Sequence, residues 1–232
     1  EIDNRRDFFF VKPRVVLTYD WNEQLQLRSR IERTVSQLDF GDFVASFVND
    51  DNRYDVISAG NPELVPEQAW ELELTLDRQF ADDAGAVKVS ALYADVADHI
   101  GRIGLLVESD DGTEVTTAPG NIGDGYRFQI RFGGSVRLDG IGIDDGVLEW
   151  GAEFSRSRVR DPFTREQRTF DSDPELEWQL NFRQDLAWKN LAYGFEAGEE
   201  SPRYRFDRDY SQEEQEDLEL QVFLEFQPRE NL

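Results

Sequence analysis

Residues 60–80 read "GNPELVPEQAWELELTLDRQF". Pro62 and Pro66 stiffen its first part, because each fixes its own φ and restricts the residue before it. Trp70, Leu72, Leu74 and Leu76 then alternate with Glu71, Glu73, Thr75 and Asp77. Successive strand side chains point to opposite faces, so the segment predicts a strand with one oily face and one charged face behind a rigid loop.

The same period recurs along the chain and gives nine strand-like runs in all. Before the quoted stretch, Val11, Val15, Leu17, Tyr19 and Trp21 oppose Lys12, Arg14, Thr18 and Asp20; then Leu25, Leu27 and Ile31 oppose Gln26, Arg28, Arg30 and Glu32. After it, Val87, Val89, Ala91 and Tyr93 oppose Lys88 and Ser90. The cleanest run sets Tyr126, Phe128, Ile130, Phe132, Val136 and Leu138 against Arg127, Gln129, Arg131, Ser135, Arg137 and Asp139. Four more centre on Leu148–Phe154, Leu176–Phe182, Leu191–Ala197 and Leu218–Phe226. No comparable helical period is present, so the expected class is all-β.

Connections between the runs alternate in length. Short ones fall at 21–24, 81–86, 140–146 and 187–190; long ones at about 36–68, 107–125, 160–174 and 199–216. Short turns on one rim and long loops on the other are the layout of an outer-membrane barrel. Greek-key sandwiches break strict up-and-down order.

Composition narrows the classes further. The 232 residues hold no cysteine and one histidine, His99, so disulfide frameworks, thiolate metal sites and His clusters are excluded. A formal charge of −24 argues against nucleic-acid partners. Only three of the 25 basic residues are Lys (Lys12, Lys88, Lys189), a bias that suits forked pairing of guanidinium with carboxylate. Mean hydropathy is −0.63 and no run approaches a spanning helix, but strands of a membrane barrel average polar because they alternate. The first ten residues carry no apolar h-region, so no signal peptide is expected, and without an initiator Met the chain reads as beginning inside a longer precursor.

Two features place lipid, and not a protein core, against the oily face. The opposite face is charged in run after run, as a water-filled lumen would be. Aromatic residues gather near predicted strand ends: Tyr19, Trp21 and Trp188 by short turns, Trp70 and Tyr126 just after long loops. Such girdles mark the two interfaces of a membrane barrel. The expected fold is an antiparallel up-and-down transmembrane β-barrel segment of about nine strands. Because single-chain bacterial barrels have even strand counts, nine implies part of a larger barrel.

At this point the residues resemble a known family. "GNPELVPE" (60–67) followed by an acidic-apolar strand is similar to the Asn-Pro-x-Leu-x-Pro-Glu signature of TonB-dependent outer-membrane receptors. "PRVVLTYDWNEQLQLRSRIERTVSQLDFGDF", "VSALYADVADHI" and "SRSRVRDPFTREQRTF" resemble the strand–turn–strand before that loop, the strand after it and the next outer loop. The resemblance implies a barrel of about 22 strands with a plugged lumen, importing a scarce nutrient such as a ferric siderophore or a glycan. It implies outer-membrane lipid, a small nutrient ligand and the TonB complex as partners, the last through a plug domain. No plug or TonB box is visible in 1–232, which reads as a single barrel segment with no enzymatic role and no cofactor. Asn61, Pro62, Leu64, Pro66 and Glu67 are then mainly loop-shaping residues. Trp70 sits at the interface, Leu72–Leu76 meet lipid, and Glu71 and Glu73 face the lumen or plug.

Candidate sites are few. Arg28, Arg30, Arg127 and Arg131 lie on the charged face, where they could meet an anionic chelate or the plug; pairing with neighbouring carboxylates is the commoner arrangement. "NDDNRYD" (49–55) and "ESDDGTE" (108–114) lack the spacing of a calcium loop and read as solvated. His99 reads as an ordinary loop-proximal residue, and no carboxylate pair is singled out for glycoside hydrolysis. Two other readings stand beside the receptor: a soluble β-rich carbohydrate-binding module, and a passive porin or autotransporter-like barrel.

Overall fold

The computed structural model describes residues 6–39, 47–48, 58–109, 112–171, 174–186, 190–206, 211–215 and 217–226. Nine principal strands follow one another: β1 (Arg14–Asn22), β2 (Leu25–Val35), β3 (Gln68–Gln79), β4 (Gly85–Ser109), β5 (Gly112–Arg137), β6 (Gly146–Arg160), β7 (Leu176–Leu186), β8 (Leu191–Glu200) and β9 (Glu219–Phe226). Each pairs antiparallel with its neighbours in that order, so the sheet is an up-and-down meander. Among the described residues the sheet is open: β1 pairs only with β2, and β9 only with β8.

Register turns the period-two pattern into two continuous faces. Leu76, Val89, Phe132 and Ala152 form one cross-strand row, and Leu74, Ala91, Ile130, Phe154 and Leu176 the next. On the other face Arg28, Thr75, Ser90, Arg131, Glu153 and Glu177 share a row. Among the described residues no layer covers the apolar face. Leu74 is 47% exposed, Phe132 44% and Leu220 63%, and no second sheet or helix packs on that face among the described residues. A sandwich would bury these side chains under a second layer, so the soluble alternative fails here. Along β5 the band runs from Tyr126 to Val136, about 33 Å of strand and about 25 Å of depth at the usual barrel tilt. That matches the apolar height of a transmembrane barrel.

The short-turn rim is built by residues that accept unusual backbone angles. Gln24 N–H donates to Asn22 Oδ1 across the two-residue β1–β2 turn. Gly85 (φ +142°) opens β4, and a Cβ there would lie 2.1 Å from the Ser135 carbonyl oxygen. Asp139 Oδ1 accepts the Asp145 N–H and so closes the β5–β6 turn.

The long-loop rim departs from the sequence reading. The connection expected at 107–125 is strand: β4 and β5 stay paired from Gly85↔Val136 out to Ser109↔Gly112. A hairpin of 25- and 26-residue strands is more than twice what a bilayer crossing needs, so its outer half stands clear of the apolar band. A bulge at Val96–Ile100, with Asp98 at φ +58°, marks the bend. Tyr126 accordingly lies inside β5 and not just after a loop. The connection expected at 199–216 is not loop alone either, since Ser211–Glu214 pairs with Arg203–Phe206. "NDDNRYD" and Trp188 lie outside the described residues.

Candidate functional site

The charged face is the wall of any lumen, and several of its arginines are held by carboxylates. Arg30 Nε donates to Glu73 Oε2 at 2.9 Å, and the same guanidinium contacts Glu32 and, at 3.7 Å, Glu71. Arg131 Nε donates to Glu153 Oε2 at 2.7 Å and its Nη2 to Gln129. Arg28 makes no ion pair among the described residues; it borders a depression of about 330 Å³ with Glu73, Asp77 and Lys88. Arg127 lies over the Phe170 ring at 5.2 Å, and its charge acts on Glu67. The four predicted arginines therefore share one face but not one pocket.

A larger depression of about 750 Å³ lies in the middle of that wall, bordered by Glu73, Asp77, Glu149, Glu153 and Glu177 with Lys88 and Arg131. Lys88, Gly133, Gly151, Gln179 and Gly198 share a register row across it, so three positions contribute no side chain. Five carboxylates against two cations leave a negative surface, ready for donors or cations from whatever fills the lumen. Among the described residues no group of three or more His, Asp or Glu is placed to hold a metal ion.

The second feature is a buried knot at the long-loop rim. Asn61 Oδ1 accepts the Glu63 N–H and its carbonyl accepts Leu64 N–H, closing a turn with Pro62 in its middle. Leu64 is fully buried and Pro66 is buried. Asn121 of β5 clamps Val65 from both sides: its Oδ1 accepts the Val65 N–H, and its Nδ2 donates to the Val65 carbonyl, each at 2.9 Å. Glu67 Oε2 then takes His99 Nδ1 at 2.6 Å and the Ile100 N–H at 3.2 Å. Burial pushes the Glu67 carboxyl up, but the His99 hydrogen bond and charge, the Ile100 N–H and Arg127 outweigh it and hold the group below its ordinary value.

His99 is itself buried and stacks on Phe170, ring centroids 3.9 Å apart. Phe170 is 1% exposed, and Ser157 Oγ accepts its N–H. Two residues away, Arg168 donates to Asp161 Oδ2 at 2.9 Å and Asp171 Oδ1 at 2.7 Å, and lies 4.3 Å from the Phe206 ring centre. Burial raises Asp161, but the Thr164 and Phe163 N–H groups, the Thr164 hydroxyl and Arg168 together lower it below the usual range. Three connections (β2–β3, β6–β7 and β8–β9) thus meet over the inner face of β4 and β5. Ala69, Ala94, Val96, Val159 and Phe170 form a buried cluster there.

The sequence reading named Asn61, Pro62, Leu64, Pro66 and Glu67 but treated His99 as a bystander and missed Asn121, Ser157, Arg168 and Phe170. Only Asp161 carried a local signal, Asp-Pro-x-Thr, which favours a side-chain-capped turn. Of the aromatics expected at the interface, Tyr19 and Trp21 pack edge-to-face by the β1–β2 turn, and Tyr126 stacks on Tyr93. Trp70, on the apolar face of β3, registers with Asp95, which in turn registers with Tyr126.

The family described as TonB dependent receptor-like, beta-barrel matches residues 2–151. No curated protein matches the chain by sequence. Among solved structures, the ferric enterobactin receptor PfeA from Pseudomonas aeruginosa, in complex with enterobactin, is similar over 92% of this chain and 32% of its own, with 12% identity and a TM-score of 0.65. The siderophore receptor PirA from Acinetobacter baumannii is similar over 92% and 33%, with 12% identity and a TM-score of 0.57. The copper transporter OprC is similar over 91% and 29%, with 15% identity and a TM-score of 0.61. The chain spans about a third of the length of these structures, and at such identities the likeness is one of fold.

Proposed function

The chain belongs to the TonB-dependent receptor β-barrel family of the bacterial outer membrane, and from that membership we propose that it forms part of the wall of a receptor that draws a scarce nutrient through its lumen. In this reading 1–232 is a single barrel segment, closed into a full barrel by further strands pairing at β1 and β9. A plug domain fills the lumen against the negative wall, and the TonB complex supplies energy through that plug. The chain carries out no reaction of its own; it binds and conducts.

The observation that carries the reading is the pair of faces. One layer of nine antiparallel strands leaves Leu72, Leu74, Leu76, Ile130, Phe132 and Leu220 facing outward with no second layer over them among the described residues, while the opposite face binds arginine to carboxylate. Hydrocarbon satisfies the first face and a hydrated, plugged lumen the second. The similar structures named for siderophores and copper make a metal ion or its chelate the first ligand class to try.

The test uses cells expressing the whole receptor, supplied with radiolabelled ferric enterobactin, a ferric hydroxamate, copper or an oligosaccharide. Uptake of one probe that needs both this receptor and TonB is the expected result. Uptake that persists without TonB overturns the energised reading in favour of a passive barrel.

A further inference from the structure

The pairing of β8 with β9 differs from that of the short hairpins in what sets its register. A tight turn fixes which residues meet across a hairpin, as it does between β1 and β2. β8 and β9 are joined by 201–218, a connection too long to impose a register. Alternation supplies only part of the constraint. A slip of one residue would turn Leu220, Val222 and Leu224 into the lumen, but a slip of two keeps every side chain on its own face. The outer face does not discriminate between such slips, since Leu218, Leu220, Val222, Leu224 and Phe226 are all large and apolar.

The inner face does discriminate. Glu219, Gln221 and Glu225 are exposed there, and Phe223 between them is the one residue of β9 that is partly buried. It registers with Gly194 of β8, which registers in turn with Arg183 of β7. A Cβ at Gly194 would lie 2.7 Å from the Phe223 ring, so the ring occupies the space that a side chain would need. The same gap lets Arg183 reach past β8. Its guanidinium carbon lies 5.7 Å from the Phe223 ring centre, and its Nη2 donates to Glu225 Oε2 at 3.0 Å. Asp185 Oδ1 accepts from the same nitrogen at 3.0 Å.

We propose that Arg183, Gly194, Phe223 and Glu225 form a register lock that selects one pairing of β9 from those that alternation allows. The inference rests on the barrel reading. A slip of two in one direction sets Phe223 against Glu196, and in the other against Ala192. In both, the ring meets a side chain in place of a gap and leaves the row of Arg183. Either slip would displace a strand added at β9 by about 7 Å along the sheet. Stagger between strands sets the tilt and width of a barrel, so the lock holds the lumen to one shape.

The test uses the whole receptor, freed of any other cysteine and carrying Ala197→Cys together with Leu220→Cys, Leu218→Cys or Val222→Cys. Ala197 registers with Leu220, so the first pair reports the locked register and the other two report a slip of two in either direction. A disulfide needs Cα atoms within about 7 Å, and diagonal neighbours lie about 7–8 Å apart. Each pair is oxidised in the outer membrane and scored by mass spectrometry in wild type, Phe223→Ala, Phe223→Ala with Arg183→Gln, and the distant lumen-facing control Arg28→Gln. In wild type and control the first pair should dominate. Phe223→Ala should raise the slipped share about fivefold, and the double variant about tenfold. Heat-resistant migration shows that a variant barrel has formed; where Phe223→Ala gives none, Phe223→Leu decides by the same measure. An unmoved slipped share in such barrels overturns the lock while leaving the barrel reading intact. A wild type dominated by a slipped pair overturns the register on which the lock is built. A wild-type receptor that stays soluble without detergent overturns the barrel reading and the lock with it.

Discussion

Glu67 joins parts of the chain that lie more than 30 positions apart, through one carboxylate oxygen shared by His99 and the Ile100 N–H. Its lowered pKa fixes the sign of the pH effect. Stabilisation by the ionised carboxylate is fully present above its ordinary value near 4.3 and is lost as pH falls through the depressed one. The protection factor of the Ile100 amide against hydrogen exchange should therefore be flat from neutral pH to about 5 and fall in more acidic solution. Glu67→Gln keeps an acceptor but loses the charge, which costs about 1 kcal/mol, or roughly fivefold in protection, and removes the acid limb. Unchanged protection in the variant would show that the carboxylate does not hold the loop. The motif residues were visible in the sequence because proline and asparagine shape a turn locally. His99 and Phe170 were not, because register across β4, β5 and β6, and not any nearby residue, brings them together.

At the scale of the element, β3 shows how much alternation alone decides. Leu74 lies midway along it on the uncovered face, and Thr75 faces the other way beside Glu73 and Asp77. Leu74→Arg should cost about 2–4 kcal/mol in lipid, the usual penalty for a cation near the bilayer midplane. Thr75→Arg should cost little. Refolding into vesicles under increasing urea compares them, and equal losses would contradict the assignment of faces. All nine principal strands could be read this way, because lipid on one side and charge on the other impose a strict period of two. The outer half of the β4–β5 hairpin could not. Residues 101–125 hold Gly101, Gly104, Gly112, Gly120, Gly123 and Gly125 with Pro119. Beyond the apolar band neither face need be oily, so pairing there rests on backbone hydrogen bonds that leave no alternating trace.

For the whole molecule, the decisive fact is that among the described residues no layer covers the apolar face. The buried apolar cluster instead sits on the inner side at the long-loop rim, around Phe170, where three loops meet above the wall. That division is coherent only for a membrane barrel. Lipid covers the outside, ion pairs and small residues line the inside, and loops are gathered at the outer end. Up-and-down order was legible from the alternation of short and long connections. The gathering of the loops was not, since it depends on contacts between connections that sequence separates by roughly a hundred positions.

The central claim, that hydrocarbon covers the face bearing Leu72 and Leu74, has a direct test in the whole receptor reconstituted in vesicles. This chain contains no cysteine, so within it single substitutions at Leu72, Glu73, Leu74 and Thr75 to Cys can each carry one fluorophore. Brominated lipid should quench the labels at 72 and 74 strongly and those at 73 and 75 weakly, with aqueous iodide giving the inverse pattern. Labels at 72 and 74 that resist both quenchers would mean that protein, and not lipid, covers the face.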